Sequence, residues 1–246
     1  MDRVTVVTGG TAGIGRAIVK KNISESDNGG DLVFAVYGHN DELAEQLRNE
    51  LTEADREKLV LIKADLSDYG STGVIKSAVS ERADHVDWLV LNAGVGTYEK
   101  FENYTPELWD RIMRTNAGVP VFIVKELDDM IADEGAILFM GSHSGQATYS
   151  SSLAYSVSKA AAMFAARSMV KLFDDRGIRI NAVAPGFIET RWQDSRSEES
   201  YERINRKIAL HRFGLPEEVA DLCYHLLTNG YVNGSVYDIH GGYDYF

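Results

Sequence analysis

Tyr155 and Lys159 stand four residues apart, and Ser142 precedes Tyr155 by thirteen. A four-residue step on a helix brings two side chains onto one face, so the phenol and the ammonium project together. A free phenol titrates near 10 and exchanges protons poorly at neutral pH. A nearby cation favours the phenolate and draws that value toward the working range. A hydroxyl facing the pair is suited to stabilise an oxygen on which charge develops. A tyrosine and lysine at this spacing also occur on ordinary helix surfaces, and Ser142, directly after an apolar run, gives the pair its chemical meaning. The nearby serines Ser144, Ser150, Ser151, Ser152 and Ser156 fit turn or helix-cap roles.

Two further clusters accompany this one. Thr8-Gly9-Gly10-Thr11-Ala12-Gly13-Ile14-Gly15 follows a short apolar run and opens an amphipathic stretch. That is the context a glycine-rich dinucleotide turn requires. Gly9 suits a tight turn, Gly13 admits close approach of a pyrophosphate, and Gly15 permits tight packing of helix on strand. The helix start then offers unpaired N–H groups to phosphate. Asn92-Ala93-Gly94 ends a later apolar run. In this order, the three clusters together imply a nicotinamide-dependent oxidoreductase with a tyrosine acid/base.

Elements able to position these clusters alternate along the chain. Val4–Val7, Leu32–Tyr37, Leu59–Lys63, Trp88–Leu91, Ala136–Met140, Ile178–Ala184 and Val236–Ile239 read as strands. Several are apolar at successive positions, as expected when both faces of a parallel sheet are covered. Helices are predicted at 14–24, 40–51, 71–83, 106–130 with a break, 153–175 and 216–227, with a helical patch at 201–208. The alternation predicts an α/β fold: one doubly wound, Rossmann-type domain over 1–246, with a seven-stranded parallel sheet in the order 3-2-1-4-5-6-7. Ser24–Asp31 reads as a polar surface turn. The stretch 186–214 is too long for a plain connection and follows a strand's carboxyl end, where ligands bind in such sheets, so it reads as a substrate loop or lid.

The glycine spacing, Asn92-Ala93-Gly94, Tyr155-x-x-x-Lys159 and Pro185-Gly186 together resemble the short-chain dehydrogenase/reductase family, from Arg3 to Gly242. His211 to Ala220 and the Gly241-Gly242 pair are most similar to its 3-oxoacyl-carrier-protein reductase branch. The resemblance implies that Lys159 also bonds the nicotinamide ribose, that Ser142 holds the substrate oxygen, and that Asn116 anchors a water leading from Lys159 to solvent. It implies a cofactor site formed by Gly9, Thr11, Ala12, Gly13, Ile14, Gly15, Gly38, His39, Asn40, Asp65, Leu66, Asn92, Ala93, Gly94, Tyr155, Lys159, Pro185 and Gly186. Ile188 and Thr190 would meet the carboxamide. Gly94 to Tyr98, His143, Tyr149, Phe187 and Trp192 would surround the substrate. No metal is implied. A symmetric dimer or tetramer is implied, through the helix carrying Ala160, Ala161, Ala162, Ala165 and Ala166.

Cofactor choice turns on the end of the second strand, where Gly38 stands in place of an acid that would bond the ribose 2′-hydroxyl. Its absence favours NADP over NAD, with His39 and Asn40, helped by Arg16, as the groups for the 2′-phosphate. The run Asp128-Asp129-Met130-Ile131-Ala132-Asp133-Glu134 is acidic where a carrier-protein reductase would dock an acidic carrier. A free small-molecule ketone or secondary alcohol is therefore the expected substrate. The alternatives are a true 3-oxoacyl-carrier-protein reductase and a dinucleotide-binding sensor without turnover.

Bulk properties agree. The 246 residues carry 37 acidic and 25 basic side chains, a net charge of −12, which argues against nucleic acid and anionic membrane partners. Cys223 is the only cysteine and lies among apolar residues, as a buried hydrophobe would. Neither a signal-peptide core nor a bilayer-length apolar segment is present, so a cytoplasmic location is expected.

Overall fold

The computed structural model describes residues 2–26, 30–148 and 152–243. Seven parallel strands form one sheet: β1 (Val4–Thr8), β2 (Leu32–Tyr37), β3 (Leu59–Lys63), β4 (Val86–Leu91), β5 (Ile131–Met140), β6 (Arg179–Pro185) and β7 (Val236–Ile239). Their order is β3-β2-β1-β4-β5-β6-β7, as the alternation predicts. Every residue of β1 and of β6 is buried. Neither face meets water, which fits the apolar residues at successive positions, Val6-Val7 in β1 and Ala182-Val183-Ala184 in β6.

Successive residues serve opposite layers. Val6, Phe34, Leu89, Ile137 and Phe139 pack with α4 (Ser71–Ser80), α6 (Val119–Glu126) and α7 (Leu153–Met169). Val7, Ala35, Val90, Leu138 and Val183 pack with α1 (Gly13–Ser24) and α9 (Pro216–Thr228). Cys223 is fully buried in the second layer, where burial pushes its thiol up to about 12. It behaves as a small hydrophobe, as expected. No helix among the described residues is long and apolar enough to cross a membrane.

The remaining helices are α2 (Asp41–Glu50), α3 (Glu53–Lys58), α5 (Pro106–Met113) and α8 (Glu198–Asn205). Several boundaries differ from expectation for local reasons. The break foreseen within 106–130 is one π-helical turn, Arg114–Gly118, between α5 and α6. β5 starts at Ile131 instead of Ala136, because Ile131 pairs with Val86 before a register shift at Glu134, whose φ is +62°. The helix expected to reach 175 stops at Met169 and continues as two 3-10 turns ending at Gly177, φ +65°. Ser24, Glu25 and Gly30 before β2 are exposed, as a polar turn predicts, but Asp31 is not. Asp31 is buried, accepting from the Arg3 N–H at 2.7 Å and pairing with its guanidinium.

Candidate active site

The carboxyl ends of β1, β4, β5 and β6 converge on one cleft of 770 Å³, lined by Gly9, Gly13, Asn92, Ser142, Tyr155 and Lys159 among others. Thr8 and Asn92 join the first two walls. The Asn92 amide donates to the Thr8 carbonyl at 2.9 Å, and the Ala93 N–H donates to the Thr8 hydroxyl at 3.1 Å. Thr8 thus belongs to the site's frame, a role its position before the glycine run does not reveal.

The glycine turn has the shape that a dinucleotide needs. Gly9 and Gly13 adopt φ of +65° and +49°, and a methyl group at Gly15 would lie 2.1 Å from the Gly9 carbonyl oxygen. Only glycine accommodates these positions. Helix α1 begins after Ala12, which has no capping side chain. Its first-turn N–H groups therefore point outward without a protein acceptor, ready for phosphate oxygens. Ala12, Ile14, Ala93, Gly94, Pro185, Gly186, Ile188 and Thr190 line the same cleft. Thr11 is buried beneath the turn.

Gly38, His39, Asn40, Asp65 and Leu66 follow the carboxyl ends of β2 and β3, outside the cleft's described lining. Three polar groups expected near a 2′-phosphate already have partners. His39 lies 3.4 Å from Asp65, Asn40 caps α2 by accepting from the Leu43 N–H, and Arg16 pairs with Glu50. A side chain added at Gly38 would meet nothing within 4 Å.

Ser142 stands two residues past the end of β5, and Lys159 projects from α7. The Lys159 ammonium is 3% exposed and donates to the Met140 carbonyl at 2.7 Å. It lies 5.9 Å from the centre of the Tyr155 ring. The four-residue spacing predicts that this cation lowers the pKa of the phenol. Instead burial dominates both groups and favours their neutral forms. It pushes Tyr155 up to about 12, against the pull of Ser142, and brings Lys159 down to about 8. Ser142 accepts from the Ser144 N–H at 3.2 Å and shares a bond with the Ser144 hydroxyl at 3.0 Å.

Asn116 sits in the π-helical turn, and its amide clamps the loop after β4. It accepts from the Val95 N–H at 2.7 Å and donates to the Val95 carbonyl at 2.8 Å and to Ser158 at 2.9 Å. Ser158 in turn donates to the Tyr155 carbonyl. The two turns that carry Asn116 and Tyr155 are thereby fixed to each other. Spacing alone gave no reason to single out Ser158.

The segment 186–214 closes on itself. Gly214 donates to Phe187 and accepts from Glu189, forming a parallel bridge at Ile188. Inside it, Ile204, Ile208 and Phe213 form a small core with Phe187, Tyr201 and Tyr243. Trp192 leans on Tyr155, ring centres 5.5 Å apart, and a methyl at Gly96 would collide with it. Phe187 and Trp192 line the cleft. His143 does not appear in that lining. It is buried, packed against His240 with ring centres 4.3 Å apart and tilted by 39°, and 3.4 Å from Asp238. Tyr149 lies outside the described residues. The Nδ1 of His240 accepts from the Gly242 and Tyr243 N–H groups.

Comparison with known proteins agrees with this geometry. Residues 9–244 match the family described as Enoyl-(Acyl carrier protein) reductase. The chain is 31% identical to an acetoacetyl-CoA reductase of Synechocystis sp., covering 98% of this chain and 96% of the relative. It is equally 31% identical to the 3-oxoacyl-[acyl-carrier-protein] reductase of Aquifex aeolicus, with the same coverage. Among solved structures, the angucycline C-6 ketoreductase LanV with bound NADP superposes with a TM-score of 0.89 at 28% identity, over 98% of this chain and 95% of that one.

Proposed function

The chain belongs to the short-chain dehydrogenase/reductase family and is an NAD(P)-dependent oxidoreductase acting on the CH–OH/ketone pair, and on that premise we propose that Tyr155, Lys159, Ser142 and Asn116 are its catalytic group. The supporting observation is the single cleft that joins Ser142, Tyr155 and Lys159 to the strained glycine turn. The cofactor would be held by the turn from Gly9 to Gly15, by Asn92 to Gly94, and by Pro185, Gly186, Ile188 and Thr190. When bound, the nicotinamide supplies or accepts the hydride.

The other roles fall to side chains. In reduction, Tyr155 gives its proton to the carbonyl oxygen, and a phenol held near 12 carries that proton throughout the neutral range. Ser142 donates to the same oxygen as charge develops on it. Lys159, charged below about 8, stabilises the phenolate left behind. Asn116 acts through Val95 and Ser158, keeping the loop after β4 and the Tyr155 turn in register. The test is oxidation of NADPH against a panel of ketones, acyl thioesters and one enoyl thioester. Catalysis independent of Tyr155 would defeat this reading.

We infer NADP as the preferred cofactor, supported by Gly38 and by the NADP bound in the ketoreductase relative. Because Gly38 has open space around it, Gly38→Asp adds a carboxylate without a clash. That variant should lower the NADPH-to-NADH ratio of kcat/KM by about ten-fold or more, through like-charge contact with the 2′-phosphate. Initial rates with each cofactor check this, and an unchanged ratio removes the 2′-phosphate from this position.

A free small molecule is favoured over a protein-borne acyl group. Arg176, the cation packed against the acidic run at 128–134, donates to Asp128 at 2.7 Å and to Asp133 at 3.0 Å. Its charge is already countered, inside an acidic flank. Cytoplasmic residence and homo-oligomer formation through α7 complete the proposal. Leu153, Val157 and Phe164 stand exposed along that helix, while Ala162 and Ala166 face the sheet.

A further inference from the structure

The cleft that holds Tyr155 is lined by Lys159, Arg191, Arg196, Arg203 and Lys207, and by no aspartate or glutamate among the described residues. In a chain with 37 acidic and 25 basic side chains, that is the reverse of the overall balance. The asymmetry lies in the lid. Positions 200, 203 and 207 follow steps of three and four, so they share one face of α8 and the turn after it, while Arg196 lies in the non-helical backbone just before the helix and reaches Ser200 from there. Of these, Arg196, Arg203 and Lys207 line the cleft. Glu198, Glu199 and Glu202 are exposed, away from the cleft lining.

Two of the lid cations, Arg196 and Arg203, are held by neutral groups. Arg196 is half-buried, donating to Gln193 at 2.9 Å and to Ser200 at 3.1 Å, and lies 5.4 Å from the centre of the Phe187 ring. Arg203 donates to the same Ser200 hydroxyl at 3.4 Å. Two guanidinium groups thus meet on one oxygen, and no carboxylate pairs with Arg196, Arg203 or Lys207 among the described residues. Neighbouring cations repel, so such an arrangement is favourable once an anion bridges them. By contrast Arg191 pairs with Asp194, and Arg206 lies near Glu202.

We propose that the lid forms an anion subsite in which Arg196, Arg203 and Lys207 bind a phosphate or carboxylate group of the small-molecule substrate, remote from the carbonyl reduced at Tyr155. This rests on the oxidoreductase reading above and narrows its substrate class to anionic ketones and thioesters. Charge attraction of this kind speeds encounter, favours charged substrates over neutral ones and weakens with salt.

Two matched pairs test it on the full chain. Acetoacetyl-CoA is compared with neutral acetoacetyl-N-acetylcysteamine for a phosphate source, and acetoacetate with neutral ethyl acetoacetate for a carboxylate source. The expected result is a preference of at least ten-fold in kcat/KM for the charged member of one pair at low ionic strength. That preference should fall at least ten-fold in Arg203→Gln/Lys207→Gln and shrink as salt is added. Arg206→Gln, outside the cleft lining, should keep the wild-type ratio. Binding to the Tyr155→Phe protein saturated with NADP, measured by calorimetry, gives a readout without turnover. If no substrate turns over but charged ligands still bind through Arg203 and Lys207, the oxidoreductase reading fails and the subsite stands. The subsite is overturned if both members of each pair behave alike, if the double variant weakens NADPH binding as much as substrate binding, or if only carrier-protein thioesters are used.

Discussion

Tyr155→Phe should lower kcat for ketone reduction by about a thousand-fold, the range over which a positioned acid or base acts. It should move the NADPH dissociation constant by less than about ten-fold. Phenylalanine keeps the ring that packs 5.5 Å from Trp192 and 5.9 Å from the Lys159 ammonium, and removes only the proton and its oxygen. The two directions of reaction should also differ with pH. Burial holds the phenol protonated to about 12. Reduction, which needs the protonated form, has it available across the neutral range. Oxidation needs the phenolate and should accelerate as pH rises. Stopped-flow single turnovers at pH 6 to 9 measure both arms. Retention of a tenth of wild-type kcat by the phenylalanine variant would assign the proton to another group.

The elements that position this chemistry were legible because their signals are local. β2, β3 and β7 follow from apolar runs that end where turn residues begin. The same holds for the glycine turn, since the φ values at Gly9 and Gly13 leave few other residues possible. What spacing could not reveal depends on distant partners. Nothing near Glu134 announces that β5 begins at Ile131, because that start is set by pairing with Val86. Asp31 looks like part of a solvated turn until Arg3, 28 residues away, buries it. His143 adjoins Ser142 in sequence, yet alternation along the chain turns it away, toward His240 and Asp238. The electrostatics of the pair were the least legible. Spacing brings Tyr155 and Lys159 together, but only the packing around them determines that burial outweighs their mutual influence.

Lys159→Met should remove a contribution to stability that grows between pH 8 and 10 in the wild-type protein, while cutting turnover by about a hundred-fold or more. Burial brings the Lys159 ammonium from its ordinary 10.5 down to about 8. Between those values the unfolded chain binds a proton that the folded chain has released, so stability increases with pH. The slope approaches about 1.4 kcal/mol per pH unit, giving about 2–3 kcal/mol by pH 10. Below pH 8 both states carry the charge, and the folded protein bears the full cost of burying it. Tyr155 acts in the opposite sense. Its folded form keeps a proton to about 12 that the unfolded form loses near 10, and the buried Cys223 thiol, held near 12 against an ordinary 9, opposes the rise from pH 9 upward in both proteins. Exposed groups such as Lys21 and Lys63 titrate alike in both proteins, so the difference between the two curves isolates Lys159. At pH 7 the variant escapes the buried charge but leaves the Met140 carbonyl without its donor, a loss of about 1–3 kcal/mol. The two terms nearly offset, so the pH dependence is the sensitive measurement. Urea midpoints at pH 7, 8, 9 and 10 supply it. Parallel curves for the two proteins would mean that the ammonium is not buried as described. Divergent curves would show a cation kept in the fold against its own stability, which fits a group retained for chemistry.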